Sequence, residues 1–178
     1  MFKRQKPPKH ILFIGAKSET RDYIIDVIKD SVKDEKEKVP KYTFTTREPD
    51  FEQSLRSNLL EKTDGTIFLV DASKTSDLST IKEYLWEMFV WNEQSINIPA
   101  LIVSFNAEKA IALTSSEIIE AFSLIRLTDR LWNVIGIHEN KKDDILSCFQ
   151  WLDDYIEVLG IKPKQLRKKE SAQKIKKT

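Results

Sequence analysis

The chain has 178 residues, 40% of them apolar and 32% charged, with a net charge of +1. That composition suits one globular domain with a sizeable core. It holds no apolar run near the roughly 20 residues that span a bilayer, and the N-terminal MFKRQKPPK lacks the apolar stretch of a secretory signal. Phe2 stands where N-myristoylation needs glycine. The single cysteine, Cys148, cannot close an internal disulfide and fits a reducing compartment, which places the protein inside the cell and by expectation in the cytoplasm. With Phe149 and Trp151 beside it, Cys148 reads as a buried helical thiol rather than a nucleophile.

The charge is unevenly spread. Residues 1–9 carry Lys3, Arg4, Lys6 and Lys9 with no acid, and residues 162–178 carry eight basic residues against Glu170. The body, 10–161, is therefore strongly acidic between two basic tails. Such tails either contact an acidic surface (protein, lipid or nucleic acid) or keep flexible ends solvated. We divide the chain into a tail over 1–9, one domain over 10–161 and a tail over 162–178.

Apolar strands alternate with amphipathic helices along the domain. The pattern predicts strands near 10–14, 41–47, 66–71, 99–105 and 132–137, and helices near 20–34, 50–62, 77–92, 115–124 and 142–159. Runs such as TIFLV (66–70) and ALIV (100–103) are apolar on both faces, as parallel strands between two helix layers are. Alternation of this kind predicts a three-layer α/β sandwich, and such sheets bind ligands beyond the carboxyl ends of their strands. Lys33–Lys38 (KDEKEK) reads as a solvated loop.

After the first strand, positions 15–22 read Gly15, Ala16, Lys17, Ser18, Glu19, Thr20, Arg21, Asp22. A phosphate-binding loop reads G-x-x-x-x-G-K-[ST]. Only the first glycine is kept. Further on, DGTIFLVDAS (64–73), SSEIIEAF (115–122), Trp132 and QWL (150–152) follow in order. Together these segments resemble the Arf (ADP-ribosylation factor) type of small GTPase, over most of the chain and without a gap from about 45 to 152. The resemblance implies a three-layer α/β/α P-loop GTPase-like fold with a mostly parallel sheet of about five strands. Only 24 steps separate Arg21 from Thr45, so switch I and its edge strand are expected to be truncated.

Set against the family's motifs, the site residues are degenerate. Thr20 replaces the second glycine, Arg21 the lysine and Asp22 the magnesium-binding hydroxyl, while Glu19 puts a carboxylate in the cradle. The D-x-x-G-Q motif becomes Thr45, Thr46, Arg47, Glu48, Pro49. The base-reading N-K-x-D becomes Asn106, Ala107, Glu108, Lys109, which sets donor against donor at guanine. The third base loop becomes His138, Glu139, Asn140, with His138 read as an exposed loop histidine. No metal set or catalytic triad is found, and Asp71, Asp143 and Asp144 near strand ends read as solvated.

Two surfaces stand out as partner-binding candidates. With an edge strand missing, Lys41–Thr46 lies at the sheet boundary, where Tyr42 and Phe44 would meet an added partner strand unless the charged loop covers them. On helix 77–92, Leu78, Ile81, Leu85 and Met88 form a core stripe with Tyr84 and Trp91 flanking it. Trp86 and Val90 fall opposite, as an interface does, unless Trp86 lies flat over its neighbours. The resulting expectation is a non-catalytic pseudo-GTPase, no enzyme, with no cofactor and no bound nucleotide, serving as a structural or adaptor subunit among protein partners. The alternatives are an unorthodox nucleotide-binding GTPase with Lys17 or Arg21 on phosphate and Asp22 on magnesium, and a peripheral adaptor holding polyanions or anionic membrane through the basic tails.

Overall fold

Five apolar runs become five strands because their side chains alternate between two helix layers, and each face of the sheet then buries its own set. A computed structural model describes residues 7–15, 17–32, 41–49, 59–90, 92, 95–138 and 141–160. The strands are β1 (Lys9–Ile14), β2 (Tyr42–Arg47), β3 (Gly65–Asp71), β4 (Ala100–Phe105) and β5 (Trp132–Gly136). The helices are α1 (Glu19–Ser31), α2 (Leu78–Phe89), α3 (Ser115–Ala121) and α4 (Lys142–Gly160). Strand order is β2-β1-β3-β4-β5, and all four ladders are parallel. The expected mostly parallel sheet is thus parallel throughout its described strands. The order reverses between β1 and β3, which makes the carboxyl edge near Gly15 the place where a doubly wound sheet opens for a ligand. Of the helix predicted over 50–62, residues 50–58 lie outside the described residues, as do the KDEKEK loop, residues 1–6 of the N-terminal tail, and 161–178.

Ile11, Phe13, Ile67, Leu69, Leu101 and Val103 face α1 and α4, where Ile24, Ile28, Phe149 and Leu152 close the layer. Leu12, Ile14, Phe68, Val70 and Ile102 point the other way, against Leu85, Met88 and Phe89 of α2 and Ile118 of α3. Full burial of a side chain such as Phe68, whose ring lies 5.5 Å from that of Phe89, is worth about 1.5–3 kcal/mol. Gly65 lets α4 approach β3: a Cβ there would sit 2.6 Å from Ile156 Cδ1.

The helix starts are written locally. Ser18 caps α1 by accepting the Arg21 N–H at 3.1 Å, and Thr114 with Glu117 forms a reciprocal capping box at α3. At the end of α2 the buried Arg130 guanidinium donates to the Phe89 and Ser95 carbonyls at 2.8 and 2.9 Å and covers the Phe89 ring at 4.2 Å. Burial pulls its pKa below the usual arginine value, with Asp129 opposing the shift.

The core face of α2 is turned from the expected stripe. Tyr84, Leu85, Met88 and Phe89 are buried, while Leu78 and Ile81 are only partly so. Tyr84, placed on the flank by sequence, is core, 2% exposed within the cluster that holds Leu12, Phe68 and Ile102. Trp86, expected opposite the core, packs against the cluster instead. Its Nε1 donates to the Phe122 carbonyl at 2.8 Å, and the Arg126 guanidinium lies 5.4 Å from its ring. Val90, just past the helix, is 45% exposed.

Among the described residues β2 pairs with β1 alone and is the edge of the described sheet. Lys41 O accepts from Lys9 N, and Arg47 O from Gly15 N, each at 3.0 Å. That register turns the backbone groups of residues 43, 45 and 47 toward β1 and those of Tyr42, Phe44 and Thr46 outward. Side chains tell a different story at Tyr42. It is 4% exposed, its ring meets Phe149 edge-on at 5.0 Å, and its hydroxyl donates to Asp153, which also pairs with Lys9 and Lys41. Tyr42 therefore offers a partner no side-chain surface, while Phe44 is half-buried over the same Phe149. On the other face His10 sits between the Thr43 and Thr45 hydroxyls, and burial pushes its pKa down against the Asp64 charge.

A cleft at the carboxyl edge of the sheet

The turn from β1 to α1 brings Gly15, Ser18, Glu19, Thr20, Arg21 and Asp22 to the carboxyl edge, with Ala16 outside the described residues. Gly15 is needed for packing: a Cβ there would lie 2.8 Å from Leu69 Cβ on β3. Glu19 and Thr20, at the fifth and sixth motif positions, already belong to α1. Arg21 does not reach outward. Its side chain is 9% exposed, Nη1 donates to the Gly15 carbonyl at 3.2 Å and Nε to Asp22 at 3.3 Å. Asp22 is exposed on the helix surface.

At the end of β3, Asp71 is not the solvated acid expected from its place in the sequence. Its Oδ1 accepts from the Ser73 N–H at 3.0 Å, the Ser73 hydroxyl at 2.7 Å and Asn106 Nδ2 at 3.0 Å. Burial alone would raise its pKa; the bonds from Asn106 and Ser73, with Lys74 nearby, outweigh that and hold it below the usual carboxylate range. Asn106 takes a left-handed backbone, φ 60°, which asparagine tolerates better than most residues. The one base-reading residue kept from the motif thus has two structural reasons to be asparagine. Lys109 is exposed and closes the turn through its N–H to Asn106 O at 3.1 Å.

His138, after β5, is exposed as expected, but it is also held: Nδ1 lies 2.8 Å from Asp144 Oδ2 on α4. Hydrogen bonds from the His138 ring and backbone lower the Asp144 pKa. Asp143 is exposed.

Between α1, the ends of β4 and β5, and α4 lies a cleft of about 310 Å³. Ile24, Phe105, Ile137 and Ile145 form its apolar walls; Glu19, Thr20, Tyr23, Asn106 and His138 supply its polar groups. Thr20 and Asn106 are thus brought together here, whereas Gly15, Arg21, Asp22 and Lys109 do not line it. Tyr23, 40% exposed, was not singled out by sequence, where it reads as one surface aromatic of a helix. The Asp71–Asn106 pair spans 35 positions and leaves no local signal beyond Asp71-Ala72-Ser73, whose spacing suits a side chain turning onto the N–H two residues on. Tyr42, Phe44, Trp86 and Val90 do not line the cleft.

These residues do not fit a magnesium nucleoside triphosphate in the manner of the phosphate-binding motif. The Ser18 hydroxyl is engaged with the Arg21 N–H, the cation at position 21 is turned into the protein, and Glu19 faces the cleft. Among the described residues no group of three or more His, Cys, Asp or Glu is arranged to hold a metal ion, and no helix is long and apolar enough to cross a membrane.

A doubly wound, all-parallel sheet between two helix layers, with a cleft at its carboxyl edge, defines the class: a three-layer α/β domain. Comparison narrows it. The ADP-ribosylation factor family matches residues 51–156, more than half of the chain, and the chain belongs to that family. It is 30% identical over 95 residues to ADP-ribosylation factor-like protein 1 of Saccharomyces cerevisiae, covering 53% of this chain and 51% of that protein. It is 28% identical over 114 residues to ADP-ribosylation factor-like protein 2 of Drosophila melanogaster, covering 62% and 61%. The chain thus matches 51% and 61% of the length of these relatives. The expected Arf-type fold stands. The expectation that the chain is no enzyme is corrected: its family is one of GTPases, and lost motif residues at positions 20–22 do not show inactivity. The family match begins at residue 51, beyond the phosphate loop, and includes Asn106–Lys109 and His138.

Proposed function

We propose that this Arf-family chain acts as an adaptor subunit, working through contacts with protein partners. The observation that carries the reading is that groups which would meet a nucleotide are engaged within the protein: Arg21 with the Gly15 carbonyl and Asn106 Nδ2 with Asp71. The outward backbone of Tyr42, Phe44 and Thr46, which no strand pairs among the described residues, supports it, since a strand edge accepts an extended partner segment. Phe44 and the exposed Val90 are the side chains that serve partner contacts on this reading, and Trp86 and Tyr42 serve packing. The basic tails add attraction to an acidic partner surface.

A second reading, nucleotide binding and GTP hydrolysis through rebuilt contacts, is favoured by the family match across both base-side loops. The experiment is the melting temperature with and without millimolar GTP, GDP or ATP, each with magnesium. Ligand at 100 times its Kd adds about 2.7 kcal/mol of stability. A magnesium-dependent rise supports the second reading; no shift with any of the three nucleotides counts against it.

A further inference from the structure

Away from the cleft, neutral groups gather two cations on one side of α2. The turn after α3 holds Ser123 in the left-handed region, φ 55°, and runs into the short helix Leu124–Arg126, where the Arg126 N–H donates to the Ser123 carbonyl at 3.1 Å. Lys82 Nζ donates to the Ser123 hydroxyl at 3.1 Å. One helical turn on, Trp86 is fixed by its bond to the Phe122 carbonyl, and the Arg126 guanidinium rests over its ring. Among the described residues neither Lys82 nor Arg126 forms an ion pair, although Glu83 and Glu87 lie on the same helix and Glu120 just before the turn. Lys9, Lys41, Lys74 and Arg130, by contrast, each meet a carboxylate. Ile125, between Leu124 and Arg126, is 78% exposed.

We propose that Lys82, Arg126 and Ile125 form a docking site for an acidic segment of a protein partner, carboxylate side chains flanking an apolar one. This deepens the adaptor reading and rests on it. Charge complementarity carries the choice of occupant. A guanidinium over an indole keeps its in-plane N–H donors for a carboxylate, and an ammonium bonded to one hydroxyl keeps two more. Trp86 retains its packing role, and what it positions is Arg126. Cations held in advance lose less side-chain freedom when a partner arrives. Ile125 supplies the apolar contact beside them. A nucleic acid strand is less suited, because it asks for free aromatic faces and the Trp86 ring is taken by the core cluster and by Arg126. Two cations on separate elements also suit two carboxylates along a segment better than one phosphate group.

The test uses the full ¹⁵N-labelled chain, titrated to about 10 mM with the capped peptide Glu-Glu-Leu-Glu-Glu, its Gln-Gln-Leu-Gln-Gln counterpart (same shape, charge removed), a phosphoserine version and a decathymidine strand. The expected result is saturable shifts at the Ser123, Ile125 and Arg126 amides and the Trp86 indole N–H, at least about fivefold weaker with the glutamine peptide. Lys82→Gln combined with Arg126→Gln should weaken the glutamate peptide by a similar factor. The Trp86 indole resonance reports that the doubly substituted chain keeps its fold, and Arg126→Gln alone should already weaken binding. Equal binding of the two peptides, no saturable shift, or shifts confined to the basic residues 1–9 and 162–178 overturns the proposal. Tighter binding of the phosphoserine peptide or of the decathymidine strand at these residues overturns the carboxylate occupant. A magnesium-dependent rise in melting temperature with GTP counts against the adaptor reading whatever the peptides do; a silent patch overturns this inference alone.

Discussion

Arg21→Met separates a structural arginine from a phosphate-seeking one. Methionine keeps most of the buried stem and removes the guanidinium. Two polar contacts go with it. The Asp22 contact, 3.3 Å to a carboxylate 59% exposed, is a surface pair worth little. The bond to the Gly15 carbonyl is different, because the donor is charged and Gly15 is buried. Charge-assisted bonds contribute about 1.5–3 kcal/mol, and a 3.2 Å length argues for the lower half of that range. The expected loss is about 2 kcal/mol, read as a fall in urea midpoint at constant slope and about 4–8 °C in Tm. A loss below about 0.5 kcal/mol, the size of an ordinary surface change, would refute the reasoning and return Arg21 to the solvent as a cation free to meet a ligand.

Gly15→Ala should destabilise by about 1–3 kcal/mol, because the new Cβ meets Leu69 Cβ at 2.8 Å and both atoms are anchored to neighbouring strands; denaturant unfolding checks this, and a neutral result would mean the β1–α1 turn yields freely. The Asp71 pKa is depressed in the fold, so its contribution is present above the unfolded value near 4 and is lost as pH falls through the folded one. Asp71→Asn should flatten that acid limb of the Tm–pH profile and shift the Asn106 side-chain amide resonances; an unchanged limb counts against the pairing. Burial pushes the Cys148 thiol up to about 12, so the folded chain should resist iodoacetamide at pH 8 and react once unfolded. Because that pKa is raised, the unfolded state loses its proton first, and stability should decline with rising pH from about 9.

Most of the scaffold was legible. Each predicted strand lies within a residue or so of an observed one, because runs such as TIFLV carry their two-faced burial in their own composition. Gly15 was legible as the one glycine kept from the phosphate-loop pattern, but its close approach to Leu69, 54 positions away, was not. Trp86 shows the same limit. A 3.6-residue period places it behind the core stripe, and no local rule reveals that the chain at Phe122 folds over it to take its Nε1–H. Tyr42 was rightly placed on the edge strand, while its burial depends on Phe149 and Asp153 of the last helix.

The sequence by itself determined the alternation of layers, the parallel sheet, the helix caps and the family, since each follows from periodicities and motifs within a few residues or from ordered segments. The tertiary structure alone decided what the motif residues do. Whether Arg21 faces a ligand or a carbonyl, and whether Asn106 reads a base or holds Asp71, depends on strands made adjacent by the sheet. A side chain's partner is set by that adjacency, through hydrogen bonds formed across tens of residues, and a linear pattern records only the residue that is offered to it.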